Sequence, residues 1–359
     1  MAVASGWEAA AWAAYAGLAL WRGRALWRRA LRRRRVAVLD GGLGSELERR
    51  GADLRRERLW SARLLQDDPA LLVQVHAAYL AAGADVVSTA TYQFSFAPWL
   101  ARGLSRRDAG ALLRRGVALA DQARREAPAP AVAAGRARQV AATLGSYGAV
   151  LGNGAEFTGE FGVGPRELQA FHAERLEHLL CDQAGAAYAS VRPDWVAFET
   201  VPSLAEVRAI CAAVAAHPLL GARPRRADAP RVWLSLSCGL RGADRLNSGE
   251  PVLEAVLAAR DSCVLQLIGF NCSAPALIAG LVRLVEPHLG PLGLVLYPNK
   301  GETYGGADGQ WAGEPASDDD FAAMAASWAE LSDKVCLIGG CCRTTPETMA
   351  KVAAALRAP

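Results

Sequence analysis

Three cysteines stand where thiol or metal chemistry is to be expected. Cys272 ends the apolar run LQLIGFNC at 265–272, and Cys341 and Cys342 end VCLIGGCC at 335–342. Three thiolates meeting at one point would suit a Zn²⁺ site whose fourth position stays open to a substrate. Gly339 and Gly340 precede the pair and let the backbone turn tightly enough for consecutive residues to face one metal. The plainer alternative is two buried cysteines and a third by chance, because free cysteine packs as a small apolar residue. A disulfide between neighbours is strained, and eight cysteines in 359 residues are too sparse for a disulfide scaffold. A reducing, cytoplasmic setting fits this usage. Cys181, Cys211, Cys238, Cys263 and Cys336 read as packing residues, with Cys238 set apart because it ends an apolar run.

The elements that must position these thiols follow one rhythm from Val36 onward. Short, β-branched-rich runs alternate with helical patterns. The runs are 36–42, 85–93, 140–148, 195–201, 232–238, 265–272, 292–299 and 335–342. Their continuous apolarity suits parallel strands buried on both faces. Asp68-Pro69, Gly164-Pro165, Ser203 and Thr345-Pro346 carry helix-start chemistry, and Gly83 ends a helix before the second run. Eight strand–helix units in one chain predict a single (β/α)₈ TIM-type barrel over 36–359, with an open doubly wound sheet as runner-up. Gly41-Gly42-Leu43-Gly44 lacks the G-x-G-x-x-G spacing of a dinucleotide site.

In such a barrel the carboxyl ends of the strands share one mouth. Those ends carry Asp40, Thr89 to Gln93, Ser146-Tyr147, Glu199-Thr200, Cys238, Asn271-Cys272, Tyr297 to Asn299, and Cys341-Cys342. So many polar and thiol groups exceed what packing needs. Two long insertions, 149–164 and 300–318, fall on the same face and are candidate lids.

Charge divides the chain in two. Residues 1–35 hold eight arginines and one acid, a charge of +7, so the net +4 leaves −3 on the rest. A slightly acidic body gives no reason to expect nucleic-acid binding. The segment 1–35, rich in Arg, Trp and Ala, reads as a poorly ordered extension, an organelle-targeting peptide or a basic membrane-surface helix. No apolar run is long enough to span a bilayer.

Several segments together resemble the homocysteine S-methyltransferase family: LDGGLGSELERRGAD (39–53), STATYQFSF (88–96), AFETVPSLAE (197–206), GFNCSAP (269–275), YPNKGETY (297–304) and IGGCCRTTPE (338–347). The resemblance runs in order from about Val36 to the C-terminus, and the G-x-N-C and G-G-C-C motifs are its most specific part. It implies one barrel holding Zn²⁺ through Cys272, Cys341 and Cys342, with Asp40 and Glu199 binding the ammonium group of homocysteine. Gly41, Gly42, Thr89, Tyr92 and Asn271 complete the candidate substrate-binding set. Where the family reads S-x-G-P-Y-G-A, this chain has Thr143-Leu144-Gly145-Ser146-Tyr147-Gly148-Ala149, and loss of the proline should loosen the loop after the third strand.

The activity implied is methyl transfer from a sulfonium donor to a zinc-bound homocysteine thiolate, giving methionine. Metal binding removes the need for a dedicated base, since a free thiol with a pKa of about 8.5 is mostly protonated at neutral pH. Tyr92, Phe94, Tyr147 and Tyr304 are candidate aromatic neighbours for a sulfonium. Lys300 and Glu302 would orient the seventh loop or form a solvated pair. S-methylmethionine is the expected donor, with S-adenosylmethionine and betaine as alternatives and selenocysteine as a second acceptor. The chain ends soon after Cys342, without the arm of betaine-using relatives or cobalamin modules, and a monomer is expected. Two rivals come from other classes. A closed structural zinc in a binding module would need a fourth ligand, and a zinc hydrolase would show H-E-x-x-H or similar spacing.

Overall fold

All eight apolar runs form strands of one parallel sheet. They are β1 (Ala37–Val38), β2 (Val86–Ser88), β3 (Gln139–Gly145), β4 (Trp195–Val201), β5 (Arg231–Leu236), β6 (Leu267–Asn271), β7 (Gly293–Tyr297) and β8 (Val335–Ile338). Their order is β1-β8-β7-β6-β5-β4-β3-β2. A parallel bridge between Leu39 and Val86 joins β1 to β2, so the sheet closes into a barrel and the open-sheet alternative falls. The structure, a computed structural model, describes residues 36–54, 59–128, 136–180, 188, 191–222, 225–304 and 311–358, with 303–304 and 311–312 given by backbone alone. The expected extension 1–35, Cys181 and the Tyr304 side chain lie outside the described residues.

Each strand is followed by an outer helix, in order Pro69–Ala81, Arg106–Glu126, Pro165–Leu179, Leu204–Ala216, Val252–Asp261, Pro275–Val285, Asp318–Ala329 and Pro346–Arg357. Their starts obey capping chemistry. Asp68, Ser203 and Thr345 each accept a backbone N–H three residues on, and proline opens four of the helices, where no N–H is needed. No described helix is long and apolar enough to cross a membrane.

Burial on both strand faces produces two apolar clusters. Leu39, Val86, Ala141, Trp195, Ala197, Trp233, Leu267, Val295, Tyr297 and Leu337 fill the barrel interior, while the alternate positions pack against the helices. Trp195 and Trp233 fill much of that lumen with ring centroids 5.3 Å apart, and Trp233 donates its indole N–H to the Tyr297 hydroxyl at 3.2 Å. A packed lumen leaves chemistry only to the mouth.

A repeated side-chain device fixes strand register at the opposite end. Asp85 donates its N–H to Val38 O at 2.7 Å and accepts the Val38 N–H at 2.8 Å. Asp194 does the same with Val140, and Gln266 with Val232. Each polar residue precedes an even-numbered strand and extends its ladder with the neighbouring strand. At the closure between β1 and β2, Asp85 also pairs with Arg357 at 3.0 Å, both side chains 10% exposed. Asp85→Ala is expected to destabilise the protein by about 2–4 kcal/mol, since it removes the acceptor of the Val38 N–H and the carboxylate beside a nearly buried guanidinium that keeps its bond to Gly83 O. Equilibrium denaturation measures this directly; a change below about 0.5 kcal/mol would mean that β1 is held by other contacts.

Candidate metal and substrate site

The thiols predicted to converge do so at the mouth. Cys272 Sγ lies 3.0 Å from Cys341 Sγ and 3.6 Å from Cys342 Sγ, and the last two are 4.0 Å apart. Ligands on a tetrahedral Zn²⁺ stand about 3.8 Å from one another, from bonds of about 2.3 Å. The three sulfurs therefore fit one metal ion, and among the described residues they form the one such cluster of His, Cys, Asp or Glu ligands. Hydrogen bonds from Cys272 and Cys342 hold the Cys341 thiol well below its ordinary range, while its bond to Cys341 pushes Cys272 well above.

Backbone geometry brings consecutive cysteines to one point. The Cys341 N–H donates to Pro298 O at 2.8 Å, the Lys300 N–H to Cys342 O at 3.2 Å, and the Arg343 N–H to Ser45 Oγ at 2.8 Å. Loops after β1, β7 and β8 are thereby stitched together around the pair. A Cβ at Gly42 would lie 2.6 Å from Cys341 O, and one at Gly339 would lie 2.7 Å from Asp40 O, so side chains are excluded where the two loops touch. Cys272, Thr200 and Arg343 have φ of +46°, +59° and +69°, strained values for residues with side chains.

The candidate carboxylates flank the thiols. Asp40 accepts hydrogen bonds from the Ser88 N–H at 2.6 Å and the Ser88 hydroxyl at 2.9 Å. Burial nonetheless pushes its pKa up to about 7. Glu199 accepts from the Tyr297 hydroxyl at 3.2 Å, and burial followed by the charges of Cys341 and Asp40 lifts its carboxyl well above the usual range. Asn271 accepts the Thr200 N–H and donates to the Thr200 hydroxyl, both at 2.8 Å, and lies 3.9 Å from Cys341 Sγ. Tyr92 lies against Gly145 and faces Cys272 and Glu199, with its hydroxyl bonded to Thr200.

Other expected residues are placed elsewhere or otherwise engaged. The Thr89 hydroxyl accepts the Thr143 N–H at 3.0 Å and contacts the Thr91 hydroxyl, bracing β2 against β3. Phe94 is wholly buried against Phe96 and Trp99 rather than lining the mouth. Lys300 and Glu302 are not partners of each other: Lys300 pairs with Asp318 at 2.7 Å and Glu302 with Arg343 at 2.9 Å. Cys211 and Cys238 are buried as expected, whereas Cys263 and Cys336 are exposed.

The loop after β3 is braced despite its missing proline. Glu206 accepts the Tyr147 N–H at 2.5 Å, and Arg175 donates to Gly145 O at 2.9 Å and to His172 Nδ1 at 2.7 Å. Because guanidinium only donates, His172 carries its proton on Nε2 and gives it to Glu206 at 3.0 Å. Three buried side chains from the third and fourth outer helices thus fix a loop that proline would otherwise stiffen. Their contacts lie 30 to 59 residues apart, and nothing local marks them. Tyr297 and Thr200 were visible only as polar residues at strand ends, and Ser88 only as part of the STATYQFSF segment.

Two measurements test the site. Cys272→Ala should lower bound metal from about one equivalent per chain to a small fraction, read by elemental analysis of purified protein. Retention of a full equivalent would place the metal elsewhere. In metal-free protein Asp40 takes up a proton on folding, because its pKa rises from 3.8 to about 7. Its stabilisation is complete below the unfolded value and is lost as pH rises through about 7. Asp40→Asn should therefore flatten the stability profile of the apoprotein across that window in urea melts; an unchanged slope would assign it to other groups.

The comparisons with known proteins agree with this geometry. A family model described as homocysteine S-methyltransferase matches residues 37–356. Homocysteine S-methyltransferase 4 of Zea mays is 38% identical over 332 residues, covering 89% of each chain. The selenocysteine methyltransferase of Astragalus bisulcatus is 33% identical over 330 residues, covering 88% of this chain and 90% of its own. Among solved structures, the metallated form of the homocysteine methyltransferase MmuM from Escherichia coli aligns with a TM-score of 0.70 at 33% identity, covering 89% of this chain and 96% of that one. With its barrel, its thiol cluster and these relatives in view, the chain belongs to the homocysteine S-methyltransferase family and is a methyltransferase.

Proposed function

We propose that this protein transfers a methyl group from S-methylmethionine to the thiol of homocysteine, with zinc held by Cys272, Cys341 and Cys342. The observation that carries the reading is three sulfurs within 4.0 Å at the barrel mouth, flanked by two buried carboxyls. Sulfur donors suit zinc, and three protein ligands leave room for a substrate thiol. When bound, the metal supplies a thiol that is ionised at neutral pH.

The chain's own residues bind, orient and exclude water. Asp40 and Glu199 offer the acceptors for the homocysteine ammonium; Ser88 and Tyr297 fix where those oxygens point. Gly41 and Gly42 have no room for side chains, which lets the Asp40 turn rest on the loop of the cysteine pair. Asn271 locks the strained Thr200 and stands beside Cys341. Thr89 acts one layer back, as a brace between strands. Tyr92 closes the mouth from the side of β2 and β3, and a dry mouth keeps water from competing with the thiol. Residues 36–359 act as one catalytic barrel.

The test supplies reduced, zinc-loaded protein with homocysteine and S-methylmethionine carrying an isotopically labelled methyl. Labelled methionine should form and disappear in Cys341→Ala. No product from a folded, zinc-containing protein would remove S-methylmethionine as donor and turn the search to S-adenosylmethionine or betaine. Selenocysteine in place of homocysteine, an acceptor suggested by the similarity to the Astragalus enzyme, should also be methylated.

A further inference from the structure

Glu156 is a half-buried carboxyl with no assigned task. It sits on the single 3₁₀ turn Ala155–Phe157 within the insertion after β3. One of its carboxylate oxygens is buried without a hydrogen-bond partner. The turn is built onto the barrel end: a Cβ at Gly148 would strike the Glu156 backbone nitrogen and lie 2.7 Å from the Phe161 ring. Tyr147 stacks beside Phe161 at 5.8 Å, and its backbone is the one that Glu206 holds. A Cβ at Gly145, the last residue of β3, would lie 2.8 Å from the Tyr92 ring, so Tyr92 closes on the same strand end. The turn that carries Glu156 follows β3 and packs on Gly148, which places it at the mouth end of the barrel with Tyr92 and the thiols.

Charge accounting gives it a role. Asp40 is a buried carboxyl and Glu199 and Glu156 are half-buried ones at the same end of the barrel, and none forms an ion pair among the described residues. Such groups are costly unless a ligand brings positive charge. The first two stand beside Cys341, where the acceptor's ammonium is proposed to bind. A sulfonium donor brings a further cation, and Glu156 is the remaining carboxyl, on a turn packed beside the Tyr147–Phe161 ring pair, whose faces favour a soft cation.

We infer that Glu156 is the specificity-determining residue for the methyl donor, its carboxylate facing the positive sulfonium. The inference rests on the proposed methyl transfer and names the chemical class of donor: a cation rather than a neutral thioether. Its effect falls on binding. When a thiolate attacks a sulfonium methyl, the new S–C bond forms as the old one breaks, and both charges vanish into two neutral thioethers. An anion beside the donor therefore stabilises the ground state more than the transition state, and removing it raises KM without lowering kcat.

The experiment titrates S-methylmethionine, and separately methionine, into metal-loaded full-length protein and its Glu156→Gln variant by calorimetry. The two ligands differ by the one methyl that makes sulfur positive. Glu156→Gln should weaken S-methylmethionine about tenfold and methionine less than about twofold, with kcat not lowered and the homocysteine KM unchanged. Equal weakening of both ligands, or of neither, overturns the inference. If the Gln variant does not fold with its metal, Glu156→Asp decides: a greater loss for S-methylmethionine than for methionine supports it, and equal losses overturn it. Wild-type protein that transfers methyl from no sulfonium donor would sink the functional reading itself. Activity with a donor preference that survives Glu156→Gln removes only the role of Glu156.

Discussion

Too many acids in too little water is the constraint on which this structure turns. Burial and the charge of Cys341 raise the cost of ionising Asp40 and Glu199, Asp40 adds to that of Glu199, and among the described residues no lysine or arginine pairs with either carboxyl. A fold that gathers such groups gives up stability at that spot unless cations arrive. In the proposed reaction, a dipositive metal on the thiols and the acceptor's ammonium on the carboxyls would answer both halves of the demand, so that binding would offset a cost built into the fold.

The rest of the barrel exists to hold this arrangement against repulsion. Parallel strands aim eight carboxyl ends at one point, and a lumen filled by Trp195, Trp233 and Tyr297 keeps the chemistry at the surface of the plug. Tyr297 belongs to both worlds: its ring packs inside the barrel and its hydroxyl fixes Glu199. At the far end, Asp85, Asp194 and Gln266 fix strand register by hydrogen bonds. A one-residue slip there would turn each mouth-facing residue toward the helices. The polar caps at one end thus protect the thiol geometry at the other.

The sequence made the architecture plain because both of its signals are local. Continuous apolar runs, each followed by a proline or a capping residue, mark strand and helix without reference to distant residues. Cys272 and the Cys341-Cys342 pair were legible for a similar reason, since each ends a strand. What stayed hidden depends on long-range geometry. The Glu206–His172–Arg175 brace compensates for an absent proline, yet its members look like ordinary helix residues. Lys300 and Glu302 are close in the chain, which suggested a shared pair, but their partners come from the following helix and from the loop after β8. Phe94 sits next to the Tyr92 segment in sequence and still turns into the core.

Three sulfur ligands, rather than a mixture of histidine and carboxylate, also follow from the charge problem. A thiolate donates strongly, so three of them neutralise the metal more fully than imidazoles would. A metal held by these three thiolates would supply an ionised substrate thiol whose sulfur stays nucleophilic. A hydrolase needs the opposite, a metal acidic enough to activate water. Asn271, 3.9 Å from Cys341 Sγ, tempers the excess by offering an N–H to sulfur while holding Thr200 in its strained turn. The ligand set, the buried carboxyls and the polar scaffold behind them therefore answer one requirement: sulfur kept negative enough to attack, in a mouth where only cations are welcome.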